Sequence, residues 1–198
     1  MNKAPRTTMN IHRPDVQAMK FEYEDITLAL VQDEDSIELF HLIEKNREYL
    51  RQWLPWLDMT KKEEDTKKFI KKSKDQYAQK KGLQFLIRKN GVLIGIIGLP
   101  KIDLENKKAS IGYWIDQEQQ GKGIITKSSE IVIDYCINEL RLNTIEIACA
   151  IVNRRSKAIP ERLGFKKVKT VKNAENLYGT MVDHDIYILK KEPVPNKK

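Results

Sequence analysis

The stretch of clearest chemical meaning is Gln120-Gly121-Lys122-Gly123-Ile124-Ile125-Thr126. The chain has 9 glycines in 198 residues, and two of them flank Lys122, where a strand-like run (112–116) gives way to a helical one. Glycines let the backbone turn tightly and remove side chains that would keep a ligand from its N–H groups. The first turn of a helix carries unpaired N–H groups and a partial positive charge. Together these make an anion site suited to a phosphate or pyrophosphate, and Lys122 adds a full charge. The pattern is neither G-x-x-x-x-G-K-[ST] nor G-x-G-x-x-G. Taken alone, it fits a plain tight turn equally well.

Other residues have chemistry but no obvious companion. Cys136 and Cys149 lie inside apolar runs with no metal-ligand partner at short spacing, so both read as core residues and no metal site is expected. Trp53 and Trp56 flank Pro55 at a chain bend, where they either plug the core or wall a pocket. Residues 61–81 hold nine lysines against four acids, within a formal net charge of +8. That segment is a solvated amphipathic helix or a surface for an anionic partner, and charge does not choose between them.

The elements that must position these residues follow from periodicity. Residues 26–31 alternate as a strand. Residues 33–54 carry apolar side chains at helical spacing up to Pro55, and a second helix covers about 63–80. Residues 83–103 read as a hairpin turning at Lys89-Asn90-Gly91, and 107–116 as the next strand. A helix from Gly123 to Leu140, a strand over 143–153 with Ile145, Ile147, Cys149 and Ile151 on one face, and a short helix from Arg155 come next. Strands over 165–171 and 184–191 then close the chain, with a polar loop, 173–179, between them. The order is mixed α/β in one domain: an N-terminal arm over 1–20, the domain over 21–192 and a polar tail over 193–198. No apolar run reaches the roughly 20 residues of a membrane span. The first residues lack the apolar centre of a signal peptide. A cytoplasmic protein is expected.

Three motifs in order give the loop a context. Gln120-x-x-Gly123, Asn153-x-x-Ser156 and Glu161-Arg-Leu-Gly-Phe165 resemble the GNAT superfamily of N-acetyltransferases. Residues 46–58 and 182–191 are similar to the signatures of the branch that acetylates N-termini of ribosomal proteins (RimJ/RimL-like). The resemblance covers about residues 24–191. It implies a central mixed, strongly twisted sheet flanked by helices, with two parallel strands splayed to admit coenzyme A. It implies acetyl-coenzyme A as co-substrate, its pyrophosphate held by Gln120, Gly121, Lys122, Gly123, Ile124, Ile125 and Thr126. The family pattern ends in Gly or Ala at the place of Ile125, and this chain departs from it there.

The resemblance also implies roles. The splayed strands would be 109–116 and 144–152, and a backbone N–H at Trp114 or Ile115 would face the thioester oxygen. Asn153 would hydrogen-bond the cofactor chain, cap the following helix, or do both. Many members carry a tyrosine seven residues after this asparagine, as the acid for the departing thiolate; Pro160 stands there instead. Ser156 is the substitute donor, with a capping serine as the other reading. Glu175 is the candidate carboxylate for the amine, against an ordinary loop acid; His184 reads as structural. Trp53, Trp56 and Tyr178 would wall the acceptor mouth.

The expected reaction is acetyl transfer to a primary amine by direct attack, with a protein N-terminus as acceptor. A small amine (polyamine, aminoglycoside or amino acid) keeps the chemistry and changes the acceptor. A non-catalytic coenzyme A-binding or RNA-associated module is the third reading. No membrane partner is expected, and nucleic acid only indirectly through the ribosome; the oligomeric state stays open.

Overall fold

Alternation along the central strands separates two layers of helix. The computed structural model describes residues 19–193. Its thirteen main elements are β1 (Lys20–Tyr23), β2 (Ile26–Leu30), α1 (Ser36–Lys45), α2 (Arg47–Arg51), α3 (Glu63–Ala78), β3 (Leu83–Lys89), β4 (Val92–Asp103), β5 (Lys108–Ile115), α4 (Ile124–Asp134), β6 (Thr144–Ala150), α5 (Arg154–Arg162), β7 (Lys166–Leu177) and β8 (Thr180–Lys190). Phe85, Ile87 and Ile97 face one way, into a core with Ile131, Val132 and Cys136. Leu86 and Ile96 face the other way, into a core with Leu39, Ile43, Leu50 and Ile70. A period of two on strands buried on both faces produces this split. So α4 covers one face and α1, α2 and α3 the other.

The sheet runs β1-β2-β3-β4-β5-β6-β8-β7. Its one parallel pair is β5–β6, which are paired only at Lys108–Ser110 with Thr144–Glu146. Beyond that point β5 stays with β4 as far as Ile115, and β6 stays with β8 as far as Ala150. A gap therefore opens between the C-terminal halves of β5 and β6. Among the described residues no helix is long and apolar enough to cross a membrane.

Several elements differ from their sequence reading. The helix expected over 33–54 breaks at Asn46, whose φ is −108°. The Asn46 side chain is buried; its Nδ2 donates to Leu42 O (3.0 Å), and its Oδ1 accepts from Gln117 N (2.9 Å). Asparagine amides compete with helix hydrogen bonding in this way. Residues 173–179 are not a loop: β7 continues to Leu177 and turns at Tyr178-Gly179, with φ of 53° and 93°. Its irregular register between Val171 and Glu175 hides the strand from pattern reading. Ile151 leaves the β6 face and is 38% exposed. Of the arm expected over 1–20, residues 1–18 lie outside the described residues, and its last residue, Lys20, already belongs to β1.

One buried carboxylate ties α5 to the sheet. Asp185 of β8 is 1% exposed, pairs with Lys157 (2.9 Å) and Lys167 (2.6 Å), and accepts from Thr170 Oγ1 (2.7 Å). Burial opposes its charge, but Lys167, Thr170 and Lys157 outweigh burial and hold its pKa far below the usual carboxylate range. A depressed folded pKa stabilises above the unfolded value, about 3.9, and that stabilisation is lost as pH falls toward the folded value. Asp185→Asn is therefore expected to lower stability by about 1–3 kcal/mol at pH 7. The gap to the parent should close in acid. Melting curves from pH 7 downward test this; identical curves at pH 7 would contradict it.

Candidate active site

The gap between β5 and β6 opens into a cavity of about 870 Å³. Elements from both faces of the sheet line it. Tyr49 and Leu50 of α2, with Trp53 and Leu54 of the following bend, come from one face; residues 120–127 and α5 come from the other.

The loop has the local shape its sequence suggested. Gly121 and Gly123 have φ of 73° and 75°, a region that strains other residues. A Cβ built at either would meet nothing within 4 Å, so the space beside both is open. Gly123 caps α4, and the first bond within that helix runs from Lys127 N to Gly123 O (3.0 Å). The N–H groups of Ile124, Ile125 and Thr126 are thus left without helical acceptors. The Ile125 side chain is 7% exposed and packs into the core, so its bulk points away from the loop. The departure at Ile125 thus puts its side chain among the core residues.

Cations surround the loop. Arg155 donates to Gln120 Oε1 and Arg162 to Thr126 Oγ1 (2.8 Å); Lys122 reaches Gln119 Oε1 (2.9 Å). Of the residues lining the cavity, Lys122, Lys127, Arg155 and Arg162 are cationic, and Glu130 is the sole carboxylate. Glu130 is itself paired with Lys127 (3.0 Å). Upstream, Asp116 is 4% exposed; it pairs with Lys45 (2.9 Å) and accepts from Glu118 N (3.0 Å), anchoring the loop to α1. Gln120 Nε2 also donates to Tyr49 Oη, bridging the two sides of the cleft.

Backbone direction separates the two candidates on β5. Asp116 N donates to Ile94 O of β4 (2.7 Å). Alternation then turns the Trp114 N–H toward β4 as well and the Ile115 N–H into the gap. The Trp114 side chain packs on the α1–α3 face.

At the end of β6, Asn153 caps α5 by accepting from Ser156 N through Oδ1 (3.0 Å). The cap leaves the amide nitrogen as a donor on the cavity wall. Ser156 Oγ lies 3.2 Å from Cys149 Sγ and 3.4 Å from Tyr113 Oη across the gap. Burial pushes the Cys149 thiol up.

The acceptor candidates divide. Trp53 lines the cavity, whereas Trp56 packs against the α1–α3 core. Tyr178 docks beside the cavity: its hydroxyl donates to Leu54 O (2.6 Å), and Arg51 stacks on its ring at 3.7 Å. The β7–β8 turn thus rests on the bend, and of the three aromatic candidates Trp53 alone lines the cavity. Glu175 and His184 stand together, Oε2 and Nε2 3.3 Å apart without hydrogen-bond alignment, and neither lines the cavity.

Sequence reasoning missed Tyr49, Tyr113, Arg155 and Arg162. The last two were legible: residues 155, 158, 159 and 162 all line the cavity, which is the i, i+3, i+4, i+7 face of one helix. The tyrosines carried no local signal.

Comparison with known proteins gives this cavity a context. Residues 25–166 match the acetyltransferase (GNAT) domain model. YdaF of Bacillus subtilis (strain 168), named as a candidate ribosomal N-acetyltransferase, is 36% identical over 173 residues, 85% of this chain and 93% of that protein. The ribosomal-protein-serine acetyltransferase of Escherichia coli (strain K12) is 32% identical over 164 residues, 83% of this chain and 92% of that protein. The solved structure of RimL, a ribosomal L7/L12 α-N-protein acetyltransferase in complex with coenzyme A, superposes with a TM-score of 0.83 at 26% identity, covering 85% of this chain and 95% of that one.

Proposed function

The chain belongs to the GNAT family of acetyltransferases and is an acetyl-coenzyme A-dependent N-acetyltransferase, and from that premise we propose that its acceptor is the α-amine of a protein N-terminus, of the ribosomal-protein type. What supports this choice is the likeness to the ribosomal-protein relatives, together with a cavity lining whose sole carboxylate, Glu130, is already paired with Lys127. The four lining cations suit the phosphates of coenzyme A, and a polyamine or aminoglycoside would find no free carboxylate on this wall. An N-terminus brings one amine and an extended chain. On this reading the enzyme works in the cytoplasm, where such acceptors are made.

In this reading the N–H groups of Ile124, Ile125 and Thr126, with Gln120, Gly121, Lys122, Gly123, Arg155 and Arg162, hold the pyrophosphate. Asn153 Nδ2 holds the pantetheine arm. The Ile115 N–H faces the thioester oxygen and stabilises the oxyanion as the amine attacks. The C–S bond then breaks, and Ser156 gives its proton to the departing sulfur, recovering one through water from the new ammonium. Trp53 shapes the acceptor wall, on a bend that Trp56 fixes to the core and Tyr178 holds through Leu54 O.

An α-amine has a pKa of about 7.7–8.0, so part of it is already neutral near pH 7. No carboxylate in contact with it is required. Trp53→Ala is expected to lower kcat/KM for a peptide about tenfold, or ~1.4 kcal/mol, with coenzyme A affinity unchanged. Glu175→Gln should leave the rise of kcat/KM with pH tracking the acceptor amine. Titrating rate against pH with peptides of different amine pKa checks this. A Trp53→Ala variant that loses coenzyme A affinity and keeps peptide turnover would reverse the two sides of the site.

A further inference from the structure

Pro160 sits inside α5 and has no N–H. In an α-helix the N–H of residue 160 would bond the carbonyl of Ser156, four residues earlier. That bond cannot form here. The Tyr113 hydroxyl instead reaches Ser156 O from β5 (3.2 Å) and also lies 3.4 Å from Ser156 Oγ. Tyr113 thus fills the acceptor that the proline leaves free. It crosses the gap to do so, and it lines the cavity. Ser156 Oγ is in turn bounded by Cys149 Sγ at 3.2 Å.

We propose that Tyr113 is a positioning residue for thiol release: at Ser156 O it replaces the helix hydrogen bond that Pro160 removes, and by its separate contact with Ser156 Oγ it holds that hydroxyl at the strand gap where the sulfur departs. The inference rests on the reading of Ser156 as proton donor. Tyr113 itself neither gains nor loses a proton. Burial pushes its phenol well above the usual tyrosine range, so it stays neutral throughout the working pH. A neutral phenol anchored to the first turn of α5 limits the rotation of the serine beside it. The bond to Ser156 O ties Tyr113 to the helix, and its contact with Oγ ties it to the reacting group.

These two contacts can be separated by experiment. Tyr113→Phe is expected to lower kcat about tenfold, to leave KM for acetyl-coenzyme A within twofold and to lower the melting temperature. Adding Pro160→Ala restores a backbone donor to Ser156 O, so the Tyr113→Phe/Pro160→Ala protein should recover melting temperature but not kcat. Tyr113→Phe should also cost nothing further in a Ser156→Ala background. The proposal is overturned if Tyr113→Phe turns over like the parent, if Pro160→Ala restores kcat together with stability, or if the Tyr113 and Ser156 losses multiply. Should Tyr113→Phe alone fail to fold, the double variant supplies the comparison. A parent that releases no thiol with any amine overturns the acetyltransferase reading and this proposal together. An active parent with full kcat in Ser156→Ala overturns the reading of Ser156 instead.

Discussion

Gly123→Val is expected to abolish the thermal stabilisation of this protein by coenzyme A, and Gly121→Val to do the same. Both glycines have positive φ, 73° at Gly121 and 75° at Gly123, where a β-branched side chain is strained. A Cβ at either place would project into open space beside unpaired N–H groups, where the pyrophosphate is to lie. The parent should gain about 2.7 kcal/mol at a hundredfold excess of ligand over Kd. Loss of that whole gain corresponds to at least a hundredfold weaker binding. Melting the ligand-free variants separates strain in the loop from loss of the site. If both variants bind coenzyme A like the parent, the pyrophosphate is held elsewhere.

Ser156→Ala should act on a different quantity. A proton given to the thiolate matters only as the C–S bond breaks, so kcat should fall while KM for acetyl-coenzyme A stays nearly constant. General acid catalysis is typically worth roughly 10²–10⁴-fold, and a serine hydroxyl belongs at or below the lower end of that range. A fall of about 10–100-fold is expected. Single-turnover rates at saturating acceptor give the cleanest measure. Weaker binding with unchanged kcat would make Ser156 a cofactor contact and nothing more.

How far the sequence revealed this site depended on how local each signal was. Gly121, Gly123 and Asn153 were legible because their roles are fixed by the turn and the helix starts beside them. The pair of splayed strands is what the family resemblance implies, and the register of β5 and β6 bears it out. Tyr113 lies beside the two β5 residues whose backbone N–H groups the resemblance singles out, and its side chain has no reading of its own in the sequence. Its hydroxyl matters because α5, forty-three residues later, carries Ser156 to it, and no periodicity reports such a contact. Glu175 was placed in a loop because β7 is an exposed edge strand without alternation; its pairing with β8 and with His184 is tertiary. Asn46 likewise interrupts a helix whose apolar spacing runs through it, because its amide serves Gln117, just ahead of the Gln120–Thr126 loop.

The most direct test is to supply acetyl-coenzyme A with peptides of varied N-terminal residue, each holding an internal lysine, and in parallel with spermidine and an aminoglycoside. Free thiol is followed, and the acetyl group is located by mass spectrometry. The account predicts thiol release matched by acetylation of the peptide α-amine, with slower modification of lysine and little turnover of the polycations. Turnover of spermidine or the aminoglycoside with every peptide left unmodified would contradict it.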